Sequence, residues 1–440
     1  MTVHPSAPQP HDDELPDVVR LARALIRIDT SNFGSRAEPE RPAADLVEAE
    51  LASLGIVAQR YEREPGRTNL IARWPGRDPA LPALLLHAHL DVVPADPAAW
   101  THAPFAGDID EGMLWGRGAV DMKDFAAMIV AALRRLVGEG FQPDRDVVLA
   151  FFADEEAGSD LGSSWLVDEH PEVFAGVDTS LGEGGGYSID IAGGRAYFMN
   201  TGEKGVLTLE LTARGTAGHG SLPAIDNPNL RIARAVTAVG GIEWPLVMTD
   251  TTAALLERLR ELGGAGPDAT PEQLAELAGP SAVRIRAGLR DVSNVTIISG
   301  GYKDNVVPET ATATVDLRYI PGRADAAIAA VRDAVGGDIE VRAVQELPAF
   351  ETPFTGRLVE ELQAVIEEVD PGAVVLPHLV PGGTDNKALR RLGIDGYGFI
   401  PLRLPSGFPF PRMFHGVDER VPLESLVFGE DVLARLLRRA

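Results

Sequence analysis

Cysteine is missing from this chain altogether. Its absence excludes disulfides, thiolate zinc sites and cysteine nucleophiles together. Any bound metal must then be held by histidine and carboxylates, the ligand set of catalytic rather than structural zinc. Long apolar runs are missing too, and nothing approaches the roughly 20 residues of a membrane span. The N-terminal stretch MTVHPSAPQPHDDELPD is polar, proline-rich and acidic, without a hydrophobic signal core. The cytoplasm is the expected compartment. Basic charge is scarce: 40 Lys and Arg stand against 65 Asp and Glu, a net charge of −25. That balance argues against nucleic acid or an anionic membrane as partner and leaves small molecules.

What is present is a globular composition, 45% hydrophobic and 24% charged. At 440 residues the chain exceeds one ordinary core, so two domains are expected. The first twelve or so residues read as a loose tail. A helix reads from Leu15, with Val18, Leu21, Leu25 and Ile28 on one face. A second runs from Pro42 to Leu54 and stops at Gly55. The strands TNLIARW and ALLLHAHLD follow, the second nearly unbroken apolar and so buried on both faces. A helix over Lys123–Val137 and the strand VVLAFFAD continue the alternation, which predicts an α/β fold: a mostly parallel sheet with helices on both faces.

Near Asn200 the rhythm changes. GVLTLELTARG and ATATVDLRYI alternate as half-exposed strands do, with a helix after each and a further strand IEVRAV. This reads as a smaller α+β domain over residues 200–347, inserted between two parts of the first domain at 1–199 and 348–440. Within the insertion, Gly241–Arg290 reads as a helical excursion with the surface loop GGAGPDATPE.

The chemistry concentrates where apolar strands end. His89 and Asp91 close ALLLHAHLD, Asp121 lies in GRGAVDMKD, Glu155 and Glu156 follow VVLAFFAD, and Glu183 lies in LGEGGG. His415, in FHGVDERV, comes much later. Side chains at strand ends line one edge of an α/β sheet, where such folds build sites. The run HAHLD is not the HxHxDH of a metallo-β-lactamase, because Val92 follows Asp91; nor are there the eight βα units of a barrel amidohydrolase. Residues i and i+2 share a strand face, so Asp91 is expected to hydrogen-bond the His89 imidazole and set its tautomer. His87 shares that face and is taken as structural. Asp121 precedes a helix, where an aspartate commonly serves as an N-cap. A turn carboxylate on that edge can instead bridge two metals. The adjacent Glu155 and Glu156 diverge, so one can bind metal while the other reaches water.

Taken together, HLDVVP, WGRGAVDMKD, DEEAGS, GEGG, AGHGSLP, NVVPETATATVDLR, GGTD and HGVDERV resemble the superfamily of zinc aminoacylases, succinyl-diaminopimelate desuccinylases and carboxypeptidases, including the carboxypeptidase-S type. The motifs occur in the right order over nearly the whole chain. The resemblance implies a catalytic domain interrupted by a lid that often makes a homodimer contact. It implies two zinc ions, with cobalt or manganese able to take the same ligands: one held by His89 and Glu183, the other by Glu156 and His415, with Asp121 between. It further implies Asp91 as partner of His89, Glu155 as general base and acid, and His219 of the lid as the imidazole that polarises the scissile carbonyl. Asn305, Arg318, Gly383 and Thr384 match positions that hold a substrate carboxylate. Ala88 and Asp124 stand where glycine is frequent in that superfamily.

The expected activity is metal-assisted hydrolysis of an amide in N-acyl amino acids or short peptides. The alternatives are a specific biosynthetic deacylase (a desuccinylase or acetylornithine deacetylase) or, from another class, an inactive metal-binding scaffold. A scaffold would have lost a ligand or the base, and none is missing.

Overall fold

The structure, a computed structural model, describes residues 9–34, 40–191 and 193–440. Residues 1–8 of the expected tail lie outside that description. Residues 9–12 are not loose: Gln9 Oε1 accepts the N–H of Ile109 at 2.8 Å, and Arg23 Nη1 donates to Pro10 O at 2.9 Å and Asp12 Oδ1 at 2.8 Å. The chain divides into two compact units. The first runs to Asn200 and resumes over Thr352–Pro377 and Thr384–Ala440. The second comprises Thr201–Glu351 and the short stretch His378–Gly383.

At the centre of the first unit, the strands Val147–Phe152, Ala83–His89, Val177–Gly182 and Asp395–Gly398 lie side by side and parallel. Every residue of ALLLHAH and VVLAFF is buried, as such runs require when both sheet faces are covered. On one face Ala83, Leu85, Val148, Ala150 and Phe152 pack with Leu166 of helix Ser163–Glu169 and Leu389 of helix Asn386–Arg390. Fully burying a side chain of the Leu or Phe class contributes about 1.5–3 kcal/mol, so this layer is what holds the strand ends in register. Helix Lys123–Gly138 also lies against the Ala83–His89 strand, between helices Asp17–Ile26 and Leu423–Leu437. Thr68–Trp74 joins the sheet antiparallel, with Ala58–Glu62 outside it. The sequence AQRYE of that outer strand has no buried residue, so no apolar rhythm marks it; a polar edge also discourages pairing with other chains.

The second unit is built on an antiparallel sheet in the order Val292–Gly300, Thr310–Tyr319, Gly205–Arg214, Ile339–Leu347. Alternate residues of Thr310–Tyr319 are buried, and Leu207, Leu209, Leu211, Val315 and Leu317 form one apolar face. Ile232, Ala235 and Val239 of helix Pro228–Gly240 cover it, with Ala327 and Val331 of helix Ala324–Val335. The other face is open. The stretch 241–290 carries the helices Asp250–Gly263, Pro271–Glu276 and Ala282–Ala287. The first two begin with capping boxes, at Thr249 and Thr270. The molecule is thus α/β, with a sheet that is parallel at its centre and a smaller open-faced α+β unit. No described helix is long and apolar enough to cross a membrane.

Candidate metal centre

Because the four central strands are parallel, their C-terminal ends open on one edge of the sheet. His89 ends its strand fully buried. Its Nε2 lies 3.1 Å from Asp121 Oδ1 and 3.9 Å from Glu183 Oε2. The other Asp121 oxygen lies 3.3 Å from His415 Nε2, which is 3.1 Å from Glu156 Oε2. Asp121 therefore sits between two imidazoles, one on each oxygen. It is not an N-cap: Met122 holds that position before Lys123–Gly138, with no side-chain cap bond. Two groups of potential ligand atoms gather within 4.8 Å, His89 with Asp121 and Glu156, and His89 with Glu155 and Glu183.

Each side chain is held by a local device. The turn carrying Asp121 is pinned by Glu419, whose carboxylate accepts Val120 N–H at 2.7 Å and Arg117 Nη1 at 2.7 Å. That bond pair ties the Asp121 turn to the segment bearing His415. Glu183 leaves its strand where Gly398 lies alongside; a Cβ on Gly398 would overlap the Glu183 carbonyl oxygen. The turn after Val147–Phe152 reverses through Asp154 at φ 67° and Gly158 at φ 109°, the left-handed region. Asp154 holds that conformation because its carboxylate accepts from Arg67 Nη2 at 2.9 Å, Asn32 Nδ2 at 3.0 Å and Leu161 N–H at 3.0 Å.

Asp91 behaves differently from the expectation. The nearest partner of His89 Nδ1 is the Asp91 backbone carbonyl, at 2.9 Å, while the carboxylate stands at 3.5 Å. Its oxygens instead accept the N–H groups of Glu155 at 3.2 Å and Glu156 at 3.1 Å, and Asn32 Nδ2 at 2.9 Å. His87 is buried with Nε2 on Asn386 Oδ1 at 3.0 Å, and burial pushes its imidazole down to about 4.

The electrostatics are those of crowded acids. Burial and the Glu183 carboxylate hold the Glu155 carboxyl well above its ordinary range. Burial, opposed by His89 but reinforced by Asp121, does the same for Glu183, and burial with the Asp121 charge raises Glu156. Hydrogen bonds to Asp121 and Glu156 push His415 up to about 10. Among the described residues, Asp121, Glu156 and Glu183 pair with imidazoles and with no Lys or Arg. Glu156 Oε1 and Glu183 Oε1 are buried without a hydrogen-bond partner. Buried carboxylate oxygens left so are costly unless a cation meets them. Two imidazoles and several carboxylates around such orphaned oxygens are a donor set that fits divalent metal.

His219, Asn305 and Arg318 belong to the second unit. There Gly218–His219 pairs with Val306–Val307, and Gly220 N–H donates to Asn305 O at 2.8 Å. Ser221 meets His219 Nδ1 twice, with its N–H at 3.2 Å and its hydroxyl at 2.8 Å, so that nitrogen is engaged within the loop. Arg318 is engaged bidentately by Asp316, at 2.6 and 2.9 Å, on the open face of the sheet. Gly383 falls in the second unit and buried Thr384 in the first, its Oγ1 accepting Asn386 N–H at 3.1 Å. Residues that the sequence reading did not single out are Asn32, Asp154 and Glu419. Asp154 and Glu419 stand inside the quoted motifs DEEAGS and HGVDERV, whereas nothing near Asn32 signals its part.

The model of peptidase family M20/M25/M40 matches residues 85–439. The chain is 27% identical to aminoacylase-1 of Pongo abelii, over 97% of this chain and 95% of that one. It is 29% identical to succinyl-diaminopimelate desuccinylase of Cereibacter sphaeroides, over 96% and 98%. Among solved structures, an M20 family metallo-carboxypeptidase from Sulfolobus solfataricus superposes with a TM-score of 0.71 at 18% identity, covering 96% of this chain and 98% of that one. With a family match over most of its length, this chain belongs to peptidase family M20/M25/M40, the metal-dependent peptidases and amidohydrolases.

Proposed function

We propose that the protein hydrolyses the amide bond of N-acyl amino acids or short peptides whose product or substrate carries a free carboxylate. The observation that carries the reading is Asp121 between His89 and His415, beside the orphaned oxygens of Glu156 and Glu183. It supports one cation held by His89 and Glu183, a second by Glu156 and His415, and Asp121 shared between them. Such a pair, zinc by default and cobalt or manganese by availability, supplies Lewis acidity at the scissile carbonyl and acidifies a water towards neutrality.

The chain's own residues do the rest. Glu155 takes the proton from the attacking water and delivers it to the leaving nitrogen. Its raised proton affinity supports that double use, since a base that must later act as an acid works best near the operating pH. His219, from its own or a neighbouring subunit, donates Nε2–H to the carbonyl oxygen as negative charge develops. Asn305, Arg318 and the Gly383–Thr384 loop hold the substrate carboxylate, which Arg318 can grip bidentately. A homodimer through the second unit is part of the reading. The open edge strand Val292–Gly300, with Ile297 and Ile298 about three-fifths exposed, supports it.

The similarity to a desuccinylase keeps a second reading, a specific biosynthetic deacylase, beside the broad one. One experiment separates them: turnover on N-acyl amino acids, dipeptides and N-succinyl-diaminopimelate, with zinc and cobalt supplied in turn and metal counted per chain. Broad turnover with about two ions per chain supports the first reading. Turnover confined to the succinylated substrate supports the second, and a chain that takes up no metal sinks both.

A further inference from the structure

The turn that carries Glu155 is gripped at its start by Asp91 and at Asp154 by Arg67 and Asn32. Its far end is gripped by Asp385, the last residue of the GGTD motif, to which the proposed chemistry gives no part. Asp385 is 2% exposed, and its Oδ1 accepts the hydroxyl of Ser159 at 3.1 Å and of Ser163 at 2.5 Å. Ser159 lies within the turn, at φ 62°, with its N–H on Asp154 O at 2.6 Å. Ser163 opens the next helix, Ser163–Glu169. One carboxylate oxygen thus clamps the loop from Glu155 to the helix that ends it.

Asp385 is itself fixed from both sides. Thr384 before it accepts the Asn386 N–H. Asn386 after it is locked into the sheet: Oδ1 accepts from Ser180 Oγ at 2.8 Å and meets His87 Nε2 at 3.0 Å, while Nδ2 donates to Tyr397 O at 3.3 Å. Those partners stand on three neighbouring parallel strands. The rigidity of the sheet passes through Asp385 to the turn.

On the reading of Glu155 as the base, we propose that Asp385 is a positioning residue for Glu155. It acts through the Ser159 and Ser163 hydroxyls, and sets where the Glu155 carboxylate stands relative to the reacting water. Geometry of this kind governs the chemical step more than substrate affinity, because a displacement of about 1 Å can cost on the order of a hundredfold in rate. An asparagine offers an acceptor oxygen of the same shape to both hydroxyls; an alanine offers none.

The test uses the metal-loaded full-length protein and its best substrate from the panel, with Asp385→Ala, Asp385→Asn, the double variant Ser159→Ala/Ser163→Ala, and Glu155→Gln beside them. Asp385→Ala and the double variant are expected to lower kcat about 10- to 100-fold, with KM within about threefold and metal content unchanged. Asp385→Asn is expected to recover to within about threefold of wild type. Wild-type kcat in Asp385→Ala or in the double variant overturns the proposal. So does Asp385→Asn as slow as the alanine variant, which would assign the effect to charge, or loss of metal, which would assign it to assembly of the centre. If Asp385→Ala does not fold, the double serine variant decides alone. Glu155→Gln with near-normal turnover removes the underlying reading instead; an inactive Glu155→Gln beside a normal Asp385→Ala removes only the positioning role.

Discussion

Asp91 Oδ1 accepts the backbone N–H of Glu155 at 3.2 Å, so the residue two beyond His89 is the organiser of the Glu155 turn. The other oxygen takes the Glu156 N–H. His89 is meanwhile oriented by the Asp91 carbonyl, which no side-chain substitution removes. Asp91→Asn replaces one accepting oxygen by an amide NH2 that faces an N–H. It is expected to keep its metal and lose about 10- to 100-fold in kcat. Loss of metal with kcat per bound metal intact would return Asp91 to a role as partner of the imidazole.

Glu155→Ala is expected to retain metal and lose roughly two to four orders of magnitude in turnover, the scale of a general base. His219→Ala should lower kcat by roughly two to three orders at constant metal content, as for a lost oxyanion donor. Metal analysis beside steady-state kinetics checks both. Near-normal turnover in the first variant removes Glu155 from the role, and lost metal in the second would mark His219 as a ligand.

Metal uptake should release protons. In the metal-free protein His415 is pushed up to about 10 by Asp121 and Glu156, and His89, despite burial, is held well above its ordinary value by Asp121 and Asp91. Both carry a proton at neutral pH that a cation must displace. Metal affinity should therefore rise with pH, about tenfold per unit for each proton released. Calorimetry in buffers of different ionisation enthalpy counts those protons; uptake without release would contradict the charge state described.

The second unit carries its own pH signature. Burial and the Arg284 charge push His378 down to about 3, so it stays neutral in the folded chain through mildly acid pH. In the unfolded chain the same imidazole binds a proton below its ordinary 6.5. Between those values the unfolded state holds more protons, so stability falls as pH falls. His378→Gln should flatten that slope by about 1.4 kcal/mol per pH unit, read from urea unfolding between about pH 5 and 6. Parallel slopes for variant and wild type would count against a neutral buried imidazole.

Arg318 offers a sharper test of substrate binding, because Asp316 already occupies its guanidinium. If it holds the substrate carboxylate, Arg318→Ala should raise KM for free-carboxylate substrates about tenfold or more and leave carboxamide analogues unchanged. Equal KM values for both kinds of substrate would make the Asp316 pair its whole purpose.

Much of this was legible in sequence, and for a physical reason. His89, Glu155 and Glu156 follow nearly unbroken apolar runs, the pattern that a parallel strand covered on both faces requires of ALLLHAH and VVLAFF. The strand Ala58–Glu62 escaped because an edge strand buries nothing and so carries no rhythm. The i, i+2 rule placed Asp91 on the face of His89 only for as long as the strand continues; the strand ends at His89, and the backbone beyond it brings the Asp91 carbonyl rather than the carboxylate to the ring. The clamp at Asp385 joins residues more than two hundred positions apart, and only the folded sheet brings Ser159 to it.

The chain passes between its two units at Asn200, Glu351, Pro377 and Gly383. The second unit is therefore stitched from two separate lengths, and the smaller one is not an ornament: Val380 O accepts the N–H of Lys204 at 3.0 Å. A fragment cut as Thr201–Glu351 would leave that stretch behind. Exchange of this unit with that of a relative, in the laboratory or by recombination, has to transplant His378–Gly383 as well, although it lies in sequence between two segments of the metal-bearing unit.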